Sequence, residues 1–185
     1  MDNAPPIVRE NHQSSLPDRV RVILKLLVDT FTALETQIAA LDAEINRRSK
    51  SDPTARRLMT IPGVGPIAST AITALVPAAE GFPAGRDFAA WLGLTPLQKS
   101  TGGKQKLGAV SKRGERTIRR LLIIGASAVV QQASRRAAPK GSWLAQMLAR
   151  KPKMLVTVAL ANKTARIVWA LLVKGGTYRT PAAAA

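Results

Sequence analysis

Eight apolar residues, Val20, Leu24, Leu27, Phe31, Leu34, Ile38, Leu41 and Ile45, succeed one another at alternating spacings of four and three. This is a heptad seam sustained for more than three heptads, and it dictates one long helix from about Asp18 to Arg48. Leu16-Pro17-Asp18 suits its start, with proline near the first turn. Such a seam pairs with another helix, from a second copy or a further domain, or else packs within its own chain. The first of these is the expectation, a homo-oligomer formed through residues 20–45. Residues 1–16 are polar, carry Pro5-Pro6 and read as disordered. Arg47 to Pro53 reads as a break between the helix of residues 17–50 and the rest of the chain.

Beyond the break the pattern becomes helical and compact. Pro53 to Thr60 reads as a short helix, and Ile61-Pro62-Gly63-Val64-Gly65-Pro66 as a tight turn into a second helix over Ile67 to Leu75. Helix, PGVG turn and helix is the layout of a helix-hairpin-helix. There Gly63 and Gly65 would let the backbone approach a phosphate, and the second helix would offer it free N–H groups. The same residues would serve equally as a turn between two core helices. Pro77 to Arg86 reads as a loop, and Asp87 to Leu92 as a short helix capped by Asp87, with Phe88 and Trp91 inward. Gly93 to Gly114 reads as a long loop. Helices are expected over Glu115 to Gln132, Trp143 to Ala149 and Met154 to Val173. The last has Val156, Leu160, Ile167, Val168, Leu171 and Leu172 on its core face and Asn162, Lys163 and Arg166 on a wetted face. Gly175-Gly176 ends it. No stretch alternates with a period of two. The expected fold is all-α, with a helical domain over residues 53–178 and a disordered tail over 179–185.

Charge points to the partner. The 185 residues carry a formal charge of +17, and no acidic residue follows Glu115. An excess of this size calls for a polyanion, nucleic acid before an anionic membrane. Cysteine is absent and there is one histidine, His12, so disulfides, thiolate metal sites and multi-histidine sites are excluded. No apolar run approaches the roughly 20 residues of a membrane span, and the N-terminus lacks the pattern of a secretory signal. An intracellular protein is expected, with no membrane partner.

The chemistry-bearing stretch is Trp91 to Arg120. Ser100 and Thr101 stand beside Gly102 and Gly103. Lys99, Lys104 and Lys106 flank them, and Ser111-Lys112-Arg113-Gly114 leads into a helix bearing Arg116, Arg119 and Arg120. Hydroxyl, mobile backbone and positive charge together suit chemistry on a phosphodiester. A serine there needs activation by a base or metal, while the lysines and the Gly102-Gly103 N–H groups could stabilise phosphorane charge. Lys112, Arg113, Arg116 and Arg120 are assigned to nucleic-acid backbone contacts. Ser111 is read as the helix N-cap or a phosphate contact.

IPGVGPIASTAITA, FAAWLGLTP, STGGK and LGAVSKRG occur in this order in the bridge-RNA-guided insertion-sequence transposases of the IS110 type. Residues 58–122 resemble their C-terminal transposase domain, and the seam resembles the coiled coil that precedes it. The resemblance implies a bacterial, cytoplasmic, nucleoid-associated enzyme acting on DNA with a guide RNA. It implies DNA transposition by a serine nucleophile that forms a phosphoserine link. Carried onto this sequence the nucleophile is Ser100, with Thr101 as the alternate. Magnesium is implied only on a RuvC-like acidic domain of which this sequence has no counterpart, so this chain is expected to bind no cofactor and to lack full activity alone. The rival reading is a non-catalytic, dimerising DNA- or RNA-binding helix-hairpin-helix module. A stand-alone nuclease is disfavoured, because the loop region lacks carboxylates.

Overall fold

The computed structural model describes residues 16–180 apart from 105, 137 and 140; the disorder expected at residues 1–15 and 181–185 falls outside these. The chain forms two units, Met1–Glu44 and Ile45–Ala185. Helix α1, Asp18–Ser51, begins in the first and ends in the second. Within the first unit the seam is open. Leu27, Phe31, Leu34, Ile38 and Leu41 are each at least half exposed.

The break expected over Arg47 to Pro53 is far shorter than that span. Arginine, serine and lysine are compatible with helix, and α1 continues through them to Ser51. Asp52 alone separates it from α2, Pro53–Leu58. The Asp52 carboxylate accepts from the Thr54 N–H at 2.8 Å and Pro53 takes the first helical position, where its missing N–H costs nothing.

The second unit is a helical domain with one small sheet. After α2 come α3, Pro66–Leu75, a 3-10 turn over Ala79–Gly81, and α4, Gly85–Trp91. Helix α4 starts two residues before the expected cap. Ala84 occupies the cap position without a side-chain bond, and Asp87 lies in the first turn. Two strands come next, β1, Pro96–Gln98, and β2, Leu107–Val110. The domain closes with α5, Arg116–Arg136, α6, Trp143–Arg150, and α7, Lys153–Lys174. The helical expectation holds, and the correction is the β-hairpin in place of a loop.

Helix α7 is the centre of the packing. It lies against α5, α4, α6 and α2, and its Val156, Ala161, Ala165 and Val168 are fully buried. Around them the core gathers Leu58, Ile72, Phe88, Leu92, Ile118 and Leu122. Phe82, Phe88 and Trp91 form an aromatic cluster with centroids 5.3–5.7 Å apart. The Trp169 indole N–H donates to Ala79 O and Phe82 O, tying the 3-10 turn to α7. Among the described residues α7 is the one helix long and apolar enough to cross a membrane. Lys163 and Arg166 interrupt its apolar run. Small residues on α7 let neighbouring helices approach closely, so in this fold the segment serves as core. Its expected wetted face is also only partly wetted: Arg166 is exposed, whereas Asn162 and Lys163 are half-buried.

The PGVG turn meets α5 through backbone. Gly63 has φ +85, and a Cβ on it would lie 2.7 Å from Gly125 O. A Cβ on Gly125 would overlap Gly63 O outright. Two glycines therefore set the closest approach between turn and helix. In an ordinary helix interior Gly→Ala stabilises by about 1 kcal/mol. Here Gly125→Ala is expected to destabilise by about 1–3 kcal/mol through overpacking, measured by chemical denaturation against an exposed α5 control such as Ser134→Ala.

Candidate functional site

The hydroxyl-bearing stretch is the tip of the β-hairpin. The strands pair antiparallel, Pro96 with Val110 and Gln98 with Leu107, with an irregularity between them. The pairing extends to the tip through Lys99 N–H to Lys106 O at 2.8 Å and a bridge between Thr101 and Lys104. Gly102 and Gly103 occupy the turn with φ of +57 and +76. Two consecutive positive φ values define the tight hairpin turn that matches strand twist, and glycine meets that demand without strain.

The Ser100 hydroxyl is held in place. Its Oγ accepts from the Lys106 N–H at 3.1 Å and donates to Gln98 Oε1 at 3.2 Å. Ser100 and Thr101 are both exposed, as are Lys99, Lys104 and Lys106. The hairpin thus presents hydroxyls and ammonium groups together on a short, turn-locked arm.

The base of the arm is rooted in the core. Leu92 and Leu94 are 0% and 1% exposed. Backbone bonds run from Ser111 N–H to Thr95 O, Lys112 N–H to Gly93 O and Glu115 N–H to Trp91 O. Across the hairpin base Gly93 and Gly114 meet backbone so closely that a Cβ on either would overlap a carbonyl, Arg113 O and Trp91 O respectively. Arg119 closes the arrangement. Its Nη1 donates to Leu92 O at 2.9 Å and lies 3.4–3.5 Å from the carbonyls of Arg113, Gly114 and Glu115. From the other side the Asn162 amide donates to Leu94 O at 3.1 Å.

Arg119 and Asn162 are not among the sequence candidates. Their partners lie 27 and 68 residues away, and no local pattern signals such bonds. The hairpin's one local mark is the Gly102-Gly103 pair, and its polar flanks, Lys99-Ser100-Thr101 and Lys104-Gln105-Lys106, lack the apolar alternation that would signal strands. Ser111 is not the helix cap. Glu115 fills that role, both carboxylate oxygens accepting from Thr117 N–H at 2.8 and 3.1 Å.

The other sequence candidates divide into two places. Lys112, with φ +56, and Arg113 lie exposed at the hairpin base. Arg116 and Arg120 are exposed in the first turns of α5. None of these four, nor the three hairpin lysines, forms an ion pair among the described residues, so their charge is free to meet phosphate. Gly63 and Gly65 stand elsewhere. At roughly 100° per residue, Gly125, under the PGVG turn, faces away from Arg116 and Arg120. Gly65 caps α3, is exposed and has nothing within 4 Å of a built Cβ. Gly63 has a packing role, while Gly65 keeps an open helix start.

Among the described residues no group of three His, Cys, Asp or Glu side chains could hold a metal ion.

Comparison with known proteins agrees with this layout. Residues 55–140 match the sequence model of the "Transposase IS116/IS110/IS902 family". These residues are a transposase domain of that family. A Pseudomonas aeruginosa protein named "Probable family 20 transposase" is 44% identical over 172 residues, 93% of this chain and 51% of the relative. The transposase for insertion sequence element IS1328 of Yersinia enterocolitica is 35% identical, over 92% of this chain and 51% of the relative. That for IS1111A of Coxiella burnetii is 33% identical, over 94% and 48%. The chain thus spans about half the length of these curated relatives. The transposase domain takes in the PGVG turn, the whole hairpin and α5.

Arg119 is expected to govern the hairpin root of this domain. A charged donor lost from buried carbonyls costs about 1.5–3 kcal/mol. With the side chain partly exposed, Arg119→Ala should cost about 1–2 kcal/mol, and Arg119→Lys should not restore it. Hydrogen exchange should accelerate at the Ser111 and Lys112 amides in Arg119→Ala while the α7 amides stay protected.

Proposed function

We propose that this chain acts in DNA transposition, with the Ser100 hydroxyl attacking a DNA phosphodiester. The observation that carries the reading is the held, exposed Ser100 hydroxyl on an arm of unpaired lysines. In the step, Ser100 Oγ bonds to phosphorus as a bridging P–O bond breaks. The departing DNA oxygen takes up a proton, and Ser100 loses its own. The acceptor Gln98 is a neutral amide and cannot take that proton. The base therefore comes from another domain or chain, and this chain is one part of a composite enzyme. Lys99, Lys104 and Lys106 offset charge on the phosphorane, while Lys112, Arg113, Arg116 and Arg120 hold the DNA backbone. Thr101 shares the exposed tip, but no described bond holds its hydroxyl, which favours Ser100. A guide RNA is a second polyanion that the +17 charge accommodates.

Oligomerisation through α1 belongs to the same reading. Ile38 and Ile45 fall at a positions, with Leu34 and Leu41 at d, the combination that favours two parallel strands. Phe31, Leu34, Ile38 and Leu41 are 51–63% exposed, so a second copy has an apolar stripe to cover. Leu34→Glu with Ile38→Glu should convert the dimer to monomer in light scattering. An unchanged mass would remove the seam from the assembly.

A binding module without chemistry is the second reading, favoured by the neutrality of Gln98. Covalent trapping separates the two. The protein is mixed with nicked DNA, guide RNA and an acidic domain supplied from a full-length relative, then run on a denaturing gel. A DNA-shifted band is expected for the parent and for Thr101→Val, and none for Ser100→Ala. Equal bands in all three would overturn the assignment of Ser100. No band in the parent, with binding intact, would favour the module. Binding itself should fall by about 10³ between 50 and 200 mM salt if about six phosphates are neutralised. A flat salt response contradicts both readings.

A further inference from the structure

Two cavities in the second unit share Trp143, Lys163 and Ile167 in their walls. The first, of about 480 Å³, is walled mostly by apolar groups, among them Ile61, Val129, Leu160 and Tyr178. The second, of about 630 Å³, carries Arg86, Asn162, Lys163 and Arg166. Both volumes fall in the range of small-ligand sites. Lys163 Nζ stands 4.5 Å from the centroid of the Trp143 ring, so an aromatic face and a cation meet where the cavities adjoin. Neither wall contains a carboxylate. Arg86, which is exposed, pairs with Asp87 at 3.9 Å.

We infer that this pair of cavities binds an unpaired nucleotide of a nucleic-acid strand, its base against Trp143 in the apolar cavity and its phosphates along Lys163 and Arg166. The site is separate in residues from the hairpin, and the inference goes beyond the proposed chemistry. An apolar, aromatic slot beside cations is the arrangement by which single strands are held, because every base offers a π-face and every linkage a phosphate. Lys163 sits on the ring only by a cation–π contact, which is weak at a partly exposed site, and its flexible stem lets it move to a phosphate as a base arrives. The lining supplies polar groups for a base edge in Gln146, Tyr178 and the buried Thr164. An acidic peptide would satisfy the cations but leave the apolar cavity without a matching group.

The test is equilibrium binding of the full chain to labelled oligothymidylate, with an abasic strand of equal length as the comparison. Trp143→Ala should weaken oligothymidylate binding about 10-fold, within the range for loss of one stacked base, and leave the abasic strand unchanged. Trp143→Phe keeps a ring and should stay close to the parent. Equal loss on both strands, no loss on either, or equal loss for Phe and Ala would each overturn the inference. Arg166→Gln changes an exposed side chain on a helix and keeps the fold available should Trp143→Ala not fold. It should weaken both strands and lower the salt slope by about one, and an unchanged slope would also overturn the inference. Oligouridylate run in parallel identifies the strand, since a larger base-dependent loss there assigns the slot to RNA and a larger loss on oligothymidylate assigns it to DNA. The readout involves no covalent step, so its failure leaves Ser100 untouched, and failure of trapping leaves the slot untouched.

Discussion

The burial of Leu92 and Leu94 is the constraint on which the exposed arm depends. Two leucines at 0% and 1% exposure carry their backbone into the core, and a buried carbonyl without a partner costs free energy comparable to a lost hydrogen bond. Arg119 and Asn162 satisfy those carbonyls from α5 and α7. The same bonds that make the burial tolerable fix where the hairpin leaves the domain. An arm with strands of three and four residues has little core of its own. Its orientation is inherited from that root.

The legibility of each element in the residues depends on physical scale. The seam of α1 and the core face of α7 rest on local periodicity, and the PGVG turn on its glycines and prolines, so all three are legible. The hairpin is not, because its strands are short and β1 is exposed throughout, so no alternation of inside and outside is imposed on it. Serine is the more usual helix cap, and beside Ser111 nothing in the residues marks Glu115 for that role. Its carboxylate still reaches the Thr117 N–H, and it lies at the positive end of α5, where negative charge is favoured. In sequence Arg119 is one more cation in a basic run. Its distinction comes from carbonyls that only the tertiary fold brings near.

Glycine serves two different purposes here. At the hairpin tip, Gly102 and Gly103 allow a left-handed backbone in open space. Between Gly63 and Gly125, absence of a side chain lets a turn touch a helix backbone. The PGVG motif therefore has a packing role, whatever Gly65 and the open start of α3 contact. Arg116 and Arg120 of α5 lie on the other side of the helix from that contact.

The position of α7 in the chain has a consequence for synthesis. Helices α2, α4, α5 and α6 all bury surface on a segment that ends at Lys174. Chains fold vectorially as they are made, with domains closing as units. The core of the second unit cannot close until residue 174 has left the ribosome. The α1 seam emerges more than a hundred residues earlier and forms from local contacts alone. Where α1 pairs with a second copy, as proposed above, helices on neighbouring nascent chains of one message meet before either domain is folded. On that reading, assembly through α1 joins copies from the same transcript.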